Sequence, residues 1–215
     1  ITTPQQLSTY LGQSWRLGLS GPIEGWVDQD AKQPTQYILY LMQGGIGLPD
    51  RDYYLKKEDK FVEIRAAYLT YLVGLLKMSD LTQSDDEASK QAKAVLSLET
   101  KIAEAQWTRA ESRQREKTYN KKTREMLIKE FNFDWMSFLK GMSTSHEAKI
   151  TQVVLRQPSY FKVLVKLVAE TPLATWRAYL STRLLTHFAP YMSANWVTHH
   201  FNFYGKTISG KEKNE

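Results

Sequence analysis

Apolar residues recur at three- and four-residue steps through most of this chain, which is the spacing of one face of an α-helix. The longest such stripe begins near position 61, and a second begins behind a capping box at Ser84–Glu87. The two stripes predict two long amphipathic helices. Their apolar positions are Phe61, Ile64, Tyr68, Tyr71, Leu72, Leu75 and Leu76 in the first, and Ala88, Ala92, Val95, Leu98, Ile102 and Ala105 in the second.

Proline and cap residues mark shorter helices elsewhere. Proline is favoured at the first helical position, because the N–H that it lacks would have no partner there. Helices are predicted to begin at Pro4, Pro158 and Pro172, and the second of two short helices between positions 123 and 142 is capped by Asp134. Pro190 interrupts or kinks the last helical stretch.

Two segments near the beginning have strand character. Gly25–Asp28 and the β-rich Tyr37–Met42 are separated by the polar loop Gln29–Thr35, which predicts a β-hairpin, and Gln152–Leu155 is a brief extended segment. The predicted fold is therefore mainly α: a multi-helix, bundle-like lobe with one hairpin near its N-terminal end. The hairpin spans about 25–43 and the helical body about 56–206.

Composition excludes several classes of protein. The 215 residues are 42% hydrophobic and 24% charged, which is typical of a globular chain and not of a disordered or collagen-like one. The chain has no cysteine, so disulfides, thiol catalysis and thiolate metal sites are excluded. The apolar run around Tyr71–Leu76 is far shorter than the roughly 18 residues of a membrane-spanning helix. The net charge of +6 comes from basic residues interleaved with acids, which favours solvated helix faces over nucleic-acid binding.

The sequence offers no complete active site. His146-Glu147 opens like the zinc motif His-Glu-x-x-His, but position 150 is Ile. The neighbouring His199 and His200 point about 100° apart on a helix, so they fit helix-end or surface positions better than one metal site. We therefore assign no catalytic, cofactor-binding or metal-ligating residue from the pattern alone.

The segment from position 44 to 55 carries a long motif. It resembles the Gly-Leu-Pro-x-Arg-Asp-Tyr-Tyr signature of the neprilysin and endothelin-converting-enzyme family of zinc metallopeptidases. Segments that resemble the same family occur in its order along nearly the whole chain, among them Trp26–Asp28, Leu98–Ala103 and Trp176–Leu180. The signature residues are Gly47, Leu48, Pro49, Asp50, Arg51, Asp52, Tyr53 and Tyr54.

The resemblance implies that residues 1–215 are a fragment of a longer, PepO-like peptidase and belong to its N-terminal, non-catalytic, helical domain. Such a domain is similar to the lid lobe that roofs the catalytic lobe and admits oligopeptides while shutting out folded proteins. Zinc, its His-Glu-x-x-His ligands and the C-terminal catalytic domain would lie elsewhere in the parent, so we expect this chain to hold no zinc and to be inactive alone. Peptide substrates are expected for the parent only.

Three further expectations follow from the resemblance. Because family members of vertebrates are rich in disulfides and this chain has no cysteine, we expect a bacterial, exported parent in the periplasm or outside the cell. We expect the signature to be architectural, with Arg51 paired to Asp50 or Asp52 and with Tyr53 or Tyr54 packed inward. The family's cleft-lining arginines correspond to a segment before Ile1, so no substrate contact is assigned here.

Two other functions are compatible with the pattern of residues alone. The chain could be a freestanding helical module whose apolar seam binds a partner protein. A weaker alternative is a basic module that binds nucleic acid.

Overall fold

The computed structural model describes residues 1–143 and 149–213. His146 and Glu147, which begin like the zinc motif, lie outside the described residues. The helices are α1 (Pro4–Arg16), α2 (Asp52–Leu55), α3 (Asp59–Met78), α4 (Asp85–Ala105), α5 (Arg109–Ser112), α6 (Arg124–Glu130), α7 (Trp135–Met142), α8 (Pro158–Glu170), α9 (Leu173–Phe188) and α10 (Ala194–His200). The strands are β1 (Ile23–Asp30), β2 (Gln33–Gln43), β3 (Asn120–Thr123) and β4 (Gln152–Leu155). A 3-10 turn (Ala189–Tyr191) precedes α10, and a π-helix (Phe201–Ile208) follows it.

The chain forms two compact units, each made of two segments. The first unit contains Ile1–Gly45 and Ala105–Leu173, and the second contains Ile46–Glu104 and Ala174–Glu215. The predicted fold class, mainly helical with a hairpin near the N-terminus, is confirmed. No helix in the described part of the chain is both long and apolar enough to span a membrane.

A four-stranded sheet organises the first unit, in the order β1-β2-β4-β3. β1 and β2 form the antiparallel hairpin, β4 runs parallel to β2, and β3 closes the other edge antiparallel to β4. The sequence predicted the hairpin and the extended segment that becomes β4. It did not predict β3, because Asn-Lys-Lys-Thr has no apolar alternation.

The hairpin tip is fixed by a buried carboxylate. Asp30 accepts hydrogen bonds from Lys121 Nζ at 2.7 Å, from Tyr119 Oη at 2.7 Å and from the Lys32 amide at 2.9 Å. Burial alone would raise the pKa of Asp30, but these donors outweigh it and hold the pKa at about 2. The charged carboxylate therefore ties the hairpin to β3.

Long helices dominate the second unit, as their stripes predicted. α3 buries Phe61, Tyr68, Tyr71, Leu72, Leu75 and Leu76. α4 begins at the predicted capping box, where the Glu87 amide donates to Ser84 Oγ at 3.2 Å and the Glu87 carboxylate accepts from the Gln83 amide at 2.8 Å. The end of the described chain packs back on α3 through α10 and the π-helix.

Candidate functional site

The signature forms a turn that leads into α2 in the second unit. The Asp50 carboxylate accepts a hydrogen bond from the Asp52 amide at 3.0 Å, and the Tyr53 amide donates to the Asp50 carbonyl at 3.1 Å. An aspartate that binds the backbone two residues on is a common way to start a turn. Leu48, which precedes Pro49, is buried. The turn is thus fixed by its own side chains before α3 begins.

Tyr54 is the inward-facing tyrosine of the pair. It is buried, and its hydroxyl accepts hydrogen bonds from the amides of Gly47 and Leu48, both at 2.9 Å. The same hydroxyl donates to Glu99 Oε2 at 2.6 Å. Tyr54 therefore links the last residue of the signature to its first two residues, and it also links the signature to α4.

Glu99 on α4 accepts the hydrogen bond that ties the signature to the interior of the second unit. Its side chain is fully buried, and Oε1 accepts a second hydrogen bond from Tyr68 Oη of α3 at 3.1 Å. Burial raises the pKa of the Glu99 carboxyl, whereas the positive charge of Arg183 and the hydroxyls of Tyr54 and Tyr68 act to lower it. The carboxylate is enclosed by donors and is not presented to solvent.

The π-helix also reaches the signature. Tyr204 Oη donates to the Gly47 carbonyl oxygen at 3.0 Å. Gly47 has no room for a side chain, because a Cβ there would collide with the Tyr68 hydroxyl and lie 3.2 Å from an Arg183 nitrogen. Residues from α3, α9 and the π-helix therefore contact the backbone at Gly47 closely, and only glycine fits there.

Arg51 has a partner that the sequence did not suggest. We expected Arg51 to pair with Asp50 or Asp52, and in the structure its Nε donates to the carbonyl oxygen of Ala103 at 3.1 Å, near the C-terminal end of α4. A cation is favourable there because the last carbonyls of a helix carry partial negative charge. Asp52 forms an exposed ion pair with Lys56, at 3.0 Å.

Tyr53 lies at the edge of the site. It is half-buried, and its ring meets Phe61 edge-on with centroids 5.3 Å apart. Its carbonyl oxygen accepts a hydrogen bond from Arg65 Nη1 at 2.7 Å. Tyr53 therefore joins α2 to α3 through its ring and backbone, while Tyr54 joins α2 to α4 through its hydroxyl.

The two adjacent histidines close around one tyrosine. His199 stacks on the Tyr71 ring and its Nε2 lies 2.9 Å from the Tyr71 carbonyl oxygen, while His200 Nδ1 lies 3.1 Å from the Tyr71 hydroxyl. They occupy the end of α10, as predicted, where burial lowers the pKa of His200. Among residues 1–143 and 149–213, no three His, Asp or Glu side chains gather as a metal site requires.

The sequence profile of peptidase family M13, in its amino-terminal part, matches residues 1–215. This chain belongs to peptidase family M13. It is 30% identical to the zinc metalloprotease Zmp1 of Mycobacterium tuberculosis in complex with an inhibitor, with a TM-score of 0.93 over all of this chain. For Zmp1 in its open state the identity is 29% and the TM-score 0.92, again over the whole chain. Human endothelin-converting enzyme 1 is 29% identical over 149 residues, or 68% of this chain.

The chain corresponds to one part of these longer M13 proteins. It spans 32% of the inhibitor-bound Zmp1 chain and 19% of human endothelin-converting enzyme 1. It corresponds to the N-terminal domain of M13 zinc metallopeptidases. M13 peptidases depend on zinc, but the described part of this domain brings no three His, Asp or Glu side chains together to hold it.

Sequence reasoning found the M13 signature and missed the groups that hold it. Glu99 and Tyr204 lie 45 and 157 residues from their signature partners, and Tyr68 and Arg183 reach Gly47 from α3 and α9. One signal was present: Glu99 is a charged residue on the apolar stripe of α4, between Val95 and Ile102. A fully buried carboxylate needs partners, and a glutamate on such a stripe predicts them.

Proposed function

We propose that this chain is the non-catalytic lid lobe of a zinc metalloendopeptidase that hydrolyses oligopeptides. In this proposal the lobe covers the catalytic domain of the same polypeptide and limits substrates by size. The observation that carries the proposal is the match of the whole chain to the amino-terminal part of family M13, whose relatives are several times longer.

The chemistry of the signature supports a structural role. The hydroxyl of Tyr54 accepts two hydrogen bonds and donates one, and Glu99 is fully buried with each carboxylate oxygen bonded to a tyrosine, so neither group is open to a substrate. A lid must keep its shape while peptides enter and leave, and a buried, satisfied polar network makes a domain rigid. Zmp1 has an open state, and an enclosing lobe requires an enclosure that can open to admit a peptide.

Size selection can be tested with one scissile sequence placed in three substrates: a short fluorogenic peptide, a longer unfolded peptide and an exposed loop of a folded protein. We expect the full-length parent to cleave the two peptides and to spare the folded protein, because the loop cannot enter an enclosed chamber. An unenclosed protease of broad specificity is the control that shows the loop to be cleavable.

Removal of the lid is the decisive comparison. We expect the catalytic portion, made without residues 1–215 and shown to cleave the short peptide, to cut the loop of the folded protein as well. If the full-length parent cut the folded protein as readily as the short peptide, the lid function would be wrong.

The compartment is a separate proposal. We propose that the parent is a bacterial protein exported to the periplasm or beyond, supported by a chain without cysteine and by its likeness to the bacterial Zmp1. Fractionation of the source organism with an antibody to this domain tests it, and a parent found only in the cytosol would contradict it.

A further inference from the structure

One stretch of the second unit contains no Asp, Glu, Lys or Arg. It runs from Leu184 to Gly205, in a chain of which 24% is charged. It covers the last turn of α9, the 3-10 turn, α10 and the start of the π-helix. Such a stretch would be expected in a buried segment, yet much of it lies on the surface of this unit.

Three large apolar side chains project from this stretch within five positions. Phe188 is 45% exposed, Tyr191 is 82% exposed and Met192 is 41% exposed. We call these three residues the apolar knuckle. Phe188 also meets the His187 ring edge-on, with centroids 4.9 Å apart. Exposed apolar residues are ordinary when scattered, but a cluster marks a surface that another molecule covers.

Buried residues next to the apolar knuckle hold its backbone in place. Ala189, between the exposed side chains, is fully buried, and the Met192 amide donates to the Ala189 carbonyl oxygen at 3.3 Å. Trp196, in the first turn of α10, is also buried. Beside the knuckle, Pro190, His200 and Phe201 border an open cavity of about 450 Å³, large enough to receive a partner side chain. A projecting aromatic group next to a pocket is the arrangement found at the centre of protein interfaces.

We propose that the apolar knuckle is a surface on which the catalytic portion of the parent polypeptide docks. The inference rests on the proposed function, since it names the part of the lid that meets the catalytic portion. Tyr, Phe and Met are enriched and charged residues depleted at the cores of interfaces, and permanent interfaces are the most apolar. Such a face suits a partner that is always present. This chain spans 32% of Zmp1, so in a protein of that length the rest of the same polypeptide is such a partner.

Thiol labelling tests the proposal, because the chain has no cysteine of its own. Tyr191→Cys and Val62→Cys are made in the 215-residue chain and in the full-length parent, and the rate of maleimide modification is read at each position by mass spectrometry. Val62 is the control: it is 47% exposed on α3 beside the charged Lys60 and Glu63. We expect modification at 191 to be slower by at least about tenfold in the native parent than in the chain, and modification at 62 to be unchanged. Met192→Cys repeats the measurement if Tyr191→Cys prevents folding of the parent.

The outcomes separate this inference from the lid function. Equal rates at 191 in chain and parent would overturn the docking surface, even if the parent still spared folded proteins. Protection at 191 in the parent would support the surface, even if size selection failed. Protection in the chain alone that disappears on dilution would assign the knuckle to a second copy of the chain and overturn the proposed occupant.

Discussion

At the scale of single residues, this domain is held by buried oxygens whose donors come from distant parts of the chain. The Tyr54 hydroxyl joins two signature amides to Glu99, and the Asp30 carboxylate joins the hairpin to β3. A buried polar group that loses its partner is costly, so these sites are sensitive to the loss of one atom. Both groups can be tested by substitutions that keep the shape of the side chain.

Tyr54→Phe should lower the free energy of unfolding by about 1–3 kcal/mol, because the amides of Gly47 and Leu48 and the Glu99 carboxylate all lose a partner. Tyr53→Phe is the matched control, since this neighbour packs through its ring and should change stability by less than about 0.5 kcal/mol. Urea denaturation of both variants provides the measurement. Equal effects at the two positions would show that the hydroxyl of Tyr54 does not hold the signature.

Asp30→Asn should destabilise the first unit by on the order of 2 kcal/mol near neutral pH. The folded pKa of about 2 lies below the ordinary value of 3.8, so the contribution is present above pH 4 and is lost as the pH falls towards 2. Stability curves of wild type and variant should therefore converge in acid. Asp28→Asn, exposed on the same strand, is the control and should run parallel to wild type. A difference at Asp30 that stayed constant down to pH 2 would contradict the charged state assigned to it.

At the scale of elements, a close helix contact in the first unit depends on glycine. α1 and α7 cross at Gly12 and Gly141, where a Cβ on either residue would collide with backbone atoms of the other helix. Helices approach this closely only where small residues remove the side-chain layer between them. Backbone atoms cannot rotate away as a side-chain tip can, so the crossing tolerates no larger residue.

Gly12→Ala should therefore destabilise the chain, by about 1–3 kcal/mol, although alanine favours an isolated helix by about 1 kcal/mol over glycine. Gly21→Ala is the control, because a Cβ there meets nothing within 4 Å. We expect its thermal midpoint to stay near that of wild type or to rise slightly. A higher midpoint for Gly12→Ala would mean that helix propensity outweighs packing and that the two helices are not in close contact.

The sequence predicted elements better than their connections. The stripe from Phe61 to Leu76 lies within α3, and α1 begins at Pro4 as predicted, with Thr3 as its cap. β3 was missed because its polar residues become a strand only through pairing with β4, which follows 29 residues later. Glu99 was missed as a site residue for the same reason, since its donors come from separate elements. Periodicity records which face of an element is buried and does not record what it is buried against.

At the scale of the whole molecule, each compact unit is built from two separate lengths of chain. The M13 signature lies at the start of the second unit, just after the hairpin in sequence, and α3, α4 and the π-helix each form a hydrogen bond with it. The motif that identifies the family is thus the segment on which α3, α4 and the π-helix meet. Its residues serve the fold of this domain, through hydrogen bonds to α3, α4 and the π-helix.

The most direct test of this account is the rate at which the 215-residue chain cleaves a short fluorogenic peptide in buffer containing zinc, beside an equimolar amount of the full-length parent. We expect no cleavage by the chain above the buffer rate, and cleavage by the parent that a chelator abolishes. Cleavage by the chain alone, lost with the chelator, would place a catalytic centre within these residues and contradict the assignment of this domain as a non-catalytic lid.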